Sequence, residues 1–532
     1  MNMIAIIVLS LYLVVLLLFG WLGHRCSASG EEDYYLAGRG QGWMVSSMTI
    51  MATFFSSFAL LGAPGMVYRE GVVFALVSLN VPVAGFCIYL LGDRIRKAGR
   101  VGGYVTQADM LCDHYKSPVV LRLLITVVGI LFVIPYIMMQ LKAGGELAAV
   151  LFSDSEHAFE IGAVVLSIVT ALYIMIGGMR SVAWTDALQC LLLTAGMVLA
   201  GFALITSLGG PVEFLKQVSE LPRSSLTVPG NTGFWQIPML FSICILMPIG
   251  GIIQPAQWMR FYSARDSNTL RRSALIFIVV LTGCFVFAIM PVGLGGQIVY
   301  PLSITADCVA PHEAVSSYDQ ILVVILRDIL PKIFGTTTGQ VLSSLLVVAI
   351  MAAAMSTADS NLHALSALLT RDVYHRFLRP AATEQERVQV GRLVILGATL
   401  VSLVLVLWGS RPDSGLSGFM QMIVGMALFA FAFSVQLLPM TLDVLFFRRG
   451  TKAAAIGGLV AGLVVAFCFT SLLSPLMDAL GFGMDASLLQ LVSASRTLFP
   501  VHAAAWGLMV NVVTFVAITC VSRPTGANLL PQ

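Results

Sequence analysis

Charge is scarce in this 532-residue chain: 11% of its residues are Asp, Glu, Lys or Arg, against 58% hydrophobic. Soluble domains run near a quarter charged, so the composition excludes a water-covered surface and leaves lipid as the solvent for most of the protein. The mild net charge of +3 leaves no basic patch to explain by nucleic acid. The nine cysteines form no C-x-x-C pair. Cys87, Cys190, Cys244, Cys284, Cys468 and Cys520 fall in apolar spans, Cys26 and Cys112 in expected cytoplasmic loops and Cys308 outside, a pattern that supports neither a disulfide framework nor a zinc site. No Lys or Arg precedes the first apolar run, residues 3–23. It is longer than the h-region of a signal peptide and is read as a retained helix.

About twenty apolar residues cross a hydrocarbon core of ~30 Å, and runs of that length give about thirteen helices. They lie near residues 3–23, 43–68, 72–93, 119–152, 159–178, 183–207, 234–262, 272–300, 339–364, 390–409, 417–446, 453–475 and 502–522. Their even spread argues for an all-α polytopic membrane protein, one domain over residues 1–532 with no soluble module. Alternate loops are basic: Arg25 and Arg39; Arg94, Arg96, Lys97, Arg100, Lys116 and Arg122; Arg260, Arg265, Arg271 and Arg272; Arg371, Arg376, Arg379, Arg387 and Arg392; Arg448, Arg449 and Lys452. The positive-inside rule then places the N-terminus outside and the C-terminus, after Arg523, in the cytoplasm of a cell (inner or plasma) membrane. The longest outer segment, residues 300–339, carries an amphipathic stretch at 318–334 that suits a short helix, as a lid or as an ordinary connection.

Two spans are interrupted. The second holds hydroxyls at its centre and a Gly-Ala-Pro-Gly break at residues 62–65; the seventh has Pro248, Gly250, Gly251, Gln254 and Pro255 in corresponding places. Broken backbone at membrane depth must face protein or a wet cavity, and such a pair of helices points to an inverted-repeat transporter with its site at the repeat interface. The ninth span carries ionisable Asp359 and His363, residue types that are costly in a membrane and functional by default. Ser356, Asp359 and Ser360 share one helix face. Carbonyls of Ala52, Phe55 and Ala353 with the hydroxyls of Ser356 and Thr357 would give five oxygens for a sodium ion; the same hydroxyls equally suit helix packing or back-bonding to the preceding turn. Asp186, where the sixth span begins, caps a helix or faces the ninth span as a second cation ligand. Lys142 and Glu146, four apart, form an ion pair, unless Lys142 meets a substrate carboxylate.

DYYLAGRGQGW (33–43), GAPGMVY (62–68), GGMRSVAWTDALQ (177–189) and MSTADSNLHALSALLTRDVY (355–374) resemble, in order, hallmarks of the sodium/solute symporter family, which includes proline, pantothenate and monocarboxylate symporters. The resemblance covers nearly the whole chain. It implies a LeuT-type core of two inverted five-helix repeats, residues 43–207 and 234–446, with one helix before (3–23) and two after (453–522). It carries the family's sodium site onto Ala52, Phe55, Ala353, Ser356 and Thr357. A candidate second cation site falls on Asp186, Asp359 and Ser360, although Asp359 stands where the two-sodium pattern has a hydroxyl. Solute contacts project to Ser56 and Ser57, with Gln140, Lys142, Gln254 and Gln421 as further candidates.

The activity so implied is sodium-coupled symport, importing a small polar solute, a carboxylate or amino-acid-like molecule, by alternating access. Sodium is the coupling ion, the chain is not an enzyme, and it works in the bilayer as a monomer. One monovalent cation moving down 100 mV gains about 2.3 kcal/mol and a tenfold gradient adds about 1.4, together enough to concentrate a neutral solute a few hundredfold. Two rivals use the same scaffold: a proton-coupled carrier with Asp359 and His363 as relay, and a solute-binding sensor.

Overall fold

Leu, Val, Ala and Met dominate the apolar runs, and in lipid each run must satisfy its own backbone polar groups, which an α-helix does internally. In the computed structural model, which describes residues 3–25, 30–152, 155–305, 308–473 and 486–522, those runs are helices. They are α1 (Met3–Arg25), α2 (Trp43–Phe54), α3 (Phe58–Glu70), α4 (Val72–Gly102), α5 (Val120–Leu151), α6 (Ala158–Met175), α7 (Gly178–Ser207), α8 (Ile237–Ile253), α9 (Pro255–Ser263), α10 (Ser267–Val299), α11 (Ile321–Phe334), α12 (Thr336–Leu378), α13 (Glu384–Gly409), α14 (Ile423–Phe447), α15 (Lys452–Cys468) and α16 (Ala503–Val521). Among the described residues nine are long and apolar enough to cross a membrane, or up to eleven if the bent pairs α2/α3 and α8/α9 each make one span. The shorter apolar stretches Ile7–Gly23 and Lys452–Cys468 stand outside that number. The expectations for Cys26, Arg523 and residues 306–307 and 474–475 fall outside the described residues.

Several helices run past the expected ends. α4 continues to Gly102 because Asp93 pairs with Arg96 at 2.8 Å and with Lys97 at 3.0 Å, an i,i+3 and i,i+4 set that keeps its charged end helical. The turn between α6 and α7 falls at Gly178, whose φ of 64° a side chain rarely adopts.

The most apolar window of α12 is 78% buried within the protein, against 33% for α13 and 22% for α16. α12, together with the equally buried α14, therefore lies at the centre, and α13 and α16 lie at the periphery. α12 packs against α5, α6/α7, α1 and α13, while α2 packs against α10 and α6/α7, and α15 pairs with α16 at the edge. The short helix expected within residues 318–334 is present as α11, preceded by a two-stranded hairpin, Ser303–Ile304 with Val309–Ala310, and a 3-10 turn at Tyr318–Gln320.

The first interruption is not where the glycines and proline point. α2 ends at Phe54, Phe55 leaves the helix at φ −89°, ψ 85°, and α3 departs at 57° to α2. Gly62 and Ala63 are helical. A widened turn over Phe58–Gly62, closed by the Ala63 N–H on the Phe58 carbonyl, absorbs the donor that Pro64 lacks. Gly65 is needed for a close approach: a Cβ there would sit 2.6 Å from the Tyr318 carbonyl oxygen. The second interruption is at Gln254, in extended conformation between α8 and α9, with a bend of 56°.

Candidate ion and solute site

Where α2 breaks, its hydrogen-bond ladder closes with the Phe55 N–H on the Met51 carbonyl at 2.7 Å. The next carbonyl, Ala52, faces α12 instead. It accepts from the Thr357 hydroxyl at 2.9 Å and from the Ser356 hydroxyl at 3.3 Å, and Ser356 also reaches the Ala353 carbonyl at 3.1 Å. Four of the five oxygens expected around sodium are thus joined in one chain of hydrogen bonds, from Thr357 through Ala52 and Ser356 to Ala353. Ala52, Phe55, Ala353, Ser356 and Thr357 are all buried. Asn361 donates to the Thr357 carbonyl at 2.8 Å and so fixes the turn that carries the hydroxyls.

One turn further along α12 the second group of expected cation ligands meets a cation of the protein's own. Arg260 on α9, 1% exposed, sends its guanidinium to Asp186 at 3.0 Å and also to the Ser360 hydroxyl. It holds Thr49 of α2 through the hydroxyl at 3.0 Å, and Thr49 in turn donates to Asp186. Asp186 therefore faces α2 and α12 and is no helix cap. Asp359 accepts instead from the Tyr173 hydroxyl at 2.7 Å and from Ser360 at 3.2 Å. The His363 ring packs on Tyr34 and Tyr35, with centroids 5.2 and 5.3 Å away. Arg260 was counted among the loop cations in the charge pattern; the bend at Gln254 turns α9 so that this side chain enters the protein. Arg122, counted likewise, is 4% exposed and pairs with Asp109 at 3.0 Å and with Asp372.

The solute candidates divide. The Ser57 N–H and hydroxyl both donate to the Gln140 side-chain oxygen, at 3.2 and 2.7 Å, which ties the unwound segment to α5. Ser56 turns back to accept the Phe58 N–H at 3.1 Å. Beside them the rings of Tyr136 and Phe431 meet edge to face with centroids 5.6 Å apart. Gln254 is used locally, its side-chain oxygen accepting the Ala256 N–H at 2.8 Å as cap of α9. The Gln421 residue is exposed, and its carbonyl accepts from Lys142 at 3.4 Å. Lys142 does pair with Glu146, at 3.0 Å, and more closely with Asp319 of the 300–339 segment, at 2.6 Å. Asp319 also accepts the Ile423 N–H at 3.0 Å, and Gln320 donates to Glu146 at 2.8 Å. The 3-10 turn is thereby bolted to both α5 and α14.

The family model for the sodium:solute symporter family matches residues 34–462. The chain belongs to the sodium:solute symporter family. Relatives of this symporter include the sodium/proline symporter of Escherichia coli, 27% identical over 461 residues (85% of this chain, 84% of the relative). The sodium/proline symporter of Salmonella typhimurium is 26% identical over 458 residues, 85% of each chain. Among solved structures, a Na+-coupled sialic acid symporter in a substrate-bound outward-open state aligns with a TM-score of 0.73 at 17% identity, covering 98% of both chains. A nucleobase-cation-symport-1 family transporter aligns with a TM-score of 0.57 at 12% identity, covering 93% of this chain and 96% of its own. The fold is the LeuT-type helical arrangement, and the protein is an integral membrane symporter that couples a small solute to sodium; it is not an enzyme.

In this symporter the sequence pattern gives no site role to Arg260, Thr49, Tyr173 or Asp319. The available signal for Arg260 was its place inside the apolar run 234–262, since an intramembrane cation needs a partner such as Asp186. Asp319 carried no signal, because its role depends on a turn whose docking on α5 and α14 is tertiary.

Proposed function

We propose that sodium binds between the broken α2/α3 span and α12, ligated by the carbonyls of Ala52, Phe55 and Ala353 and the hydroxyls of Ser356 and Thr357. The carrying observation is the Ala52 carbonyl, which accepts from both α12 hydroxyls. Sodium entering there displaces those hydrogen bonds, the hydroxyls turn their lone pairs inward, and two separate membrane elements become tied by one ion. Because the cluster assembles only when α2 and α12 are adjacent, the ion selects the state that admits solute, and separation of the elements releases both. The Asp186, Asp359 and Ser360 group takes a second cation only if the Arg260 guanidinium withdraws; with it in place we assign one sodium.

The solute is a small carboxylate or amino-acid-like molecule. The N–H and hydroxyl of Ser57 stand at the start of α3, where a half-helix presents its positive end to an anionic group. Gln140 supplies a neighbouring polar contact, and Tyr136 and Phe431 form an apolar wall. Two of the relatives are named sodium/proline symporters, which makes proline the first solute to test. Lys142 works in the outer closure with Asp319, so residues 300–339 act as a lid. The repeats at 43–207 and 234–446, the flanking elements at 3–23 and 453–522, thirteen crossings, an outside N-terminus, a cytoplasmic C-terminus, the plasma membrane and a working monomer complete the reading.

The test is uptake into proteoliposomes under an imposed sodium gradient, with proline, other amino acids and short monocarboxylates as solutes. At least one should accumulate only when sodium is present outside. Accumulation driven equally well by a proton gradient without sodium would overturn the reading.

A further inference from the structure

Far along α12 from the hydroxyl cluster, a cavity of about 470 Å³ opens where α4 ends, α5 begins and the last turns of α12 lie. This face is the one that the charge pattern places in the cytoplasm. The inner wall is electrostatically settled. Arg122 pairs with Asp109 at 3.0 Å and with Asp372, and Arg371 lies 3.2 Å from Glu31 and 3.7 Å from Asp109. Asp109 also accepts the N–H groups of Val105 and Thr106, each at 3.2 Å. Burial alone would push its carboxyl up, but Arg371 and Arg122 outweigh that and hold it below the usual carboxylate range. Asp113, also on the lining, accepts from the Tyr104 hydroxyl.

The rim is different. Lys116 and Arg376 both line the cavity, both are exposed, and neither pairs with a carboxylate among the described residues. Within two positions of the lining residues in the chain come apolar side chains that the protein leaves uncovered: Val101, Val119, Val120 and Leu378, from 48% to 72% exposed. Unpaired cations around a concavity attract a compact anion, and an uncovered apolar margin at a membrane boundary suits acyl chains.

We propose that this cavity binds a phosphate group, and the apolar margin assigns that phosphate to the headgroup of an anionic phospholipid rather than to a free ion. Lys116 and Arg376 meet the phosphate, while Arg371, already engaged with Asp109, offers its remaining donor face. Since Arg371 and Asp372 belong to the helix that carries Ser356 and Thr357, a bound headgroup pins the end of the element that sodium engages further along. The site is independent of which solute is carried.

The experiment titrates purified full-length protein with a short-chain phosphatidylglycerol, a short-chain phosphatidylcholine and inorganic phosphate, reading apparent affinity from the shift in thermal unfolding. The expected result is saturable stabilisation by phosphatidylglycerol alone. Each rim cation removed should weaken it about fivefold, so that Lys116→Gln with Arg376→Gln weakens it roughly twenty- to thirtyfold. Lys97→Gln, on the same face but off the lining of this cavity, controls for general attraction and should change it less than twofold. Inorganic phosphate binding as tightly as phosphatidylglycerol would uphold the phosphate site and overturn the lipid assignment. Equal stabilisation by phosphatidylcholine, none by any anion, an unaffected double variant, or an equal loss from Lys97→Gln would overturn the proposal.

Discussion

The two bent spans differ by a single degree, 57° and 56°, yet their exposed backbone is used in opposite ways. At the second break the protein meets its own needs. The Ile253 carbonyl takes the Gln107 side-chain amide at 2.6 Å, the Gly250 carbonyl stays in the helix ladder by accepting the Gln254 N–H at 3.1 Å, and Gln254 caps the helix it begins. At the first break the Ala52 carbonyl is met by two hydroxyls, which can rotate and accept an ion in place of their own hydrogen bonds. A bend alone therefore makes no ion site; what matters is whether the partners of the freed oxygens are themselves oxygen ligands.

Four substitutions break or sharpen that contrast. The largest effect belongs to Arg260→Ala. Arg260 lies beyond the second break but reaches Thr49 beside the first, and its loss leaves Asp186 buried without its cation. Removing one partner of a buried pair costs about 3–5 kcal/mol, which denaturant unfolding in detergent would register. Next, Thr357→Ala removes one proposed oxygen ligand. If that resembles a hydrogen bond to a charged group, about 1.5–3 kcal/mol, sodium affinity falls roughly ten- to a hundredfold, with stability in sodium-free buffer much less affected.

Gln107→Leu probes the other break. It strands the buried Ile253 carbonyl at about 1–3 kcal/mol, so unfolding should shift while sodium affinity stays within about twofold of wild type. A large loss of sodium affinity in this variant would erase the distinction between the two breaks. The smallest effect is Ser57→Ala, where one neutral hydrogen bond of about 0.5–1.5 kcal/mol is lost. Half-saturation for solute should rise some two- to tenfold, read from uptake rates at saturating sodium.

Much of this arrangement was legible in the chain. The apolar runs marked the helices because lipid permits few alternatives, and the hydroxyl row of residues 356–360 stood out against Leu, Val and Ala. The first break was displaced because local propensity reads Gly62 and Pro64 as helix breakers. In the fold a widened turn accommodates the proline and Gly65 serves the approach of Tyr318. The actual break, Phe55-Ser56-Ser57, carries no Gly or Pro. It is held by contacts remote in sequence, from Ser57 to Gln140 and from α12 to Ala52. Arg260 and Arg122 were hidden for a related reason. Charge counting treats every arginine near a span end as a loop marker, and only the tertiary fold distinguishes one that turns inward to a carboxylate.

The most direct test is equilibrium binding of radioactive sodium to the purified protein and to the Ser356→Ala, Thr357→Ala double variant. Saturable binding of one ion by the wild type, absent from a double variant that still folds, is the expected result. Undiminished binding by the double variant would contradict the placement of sodium between α2 and α12.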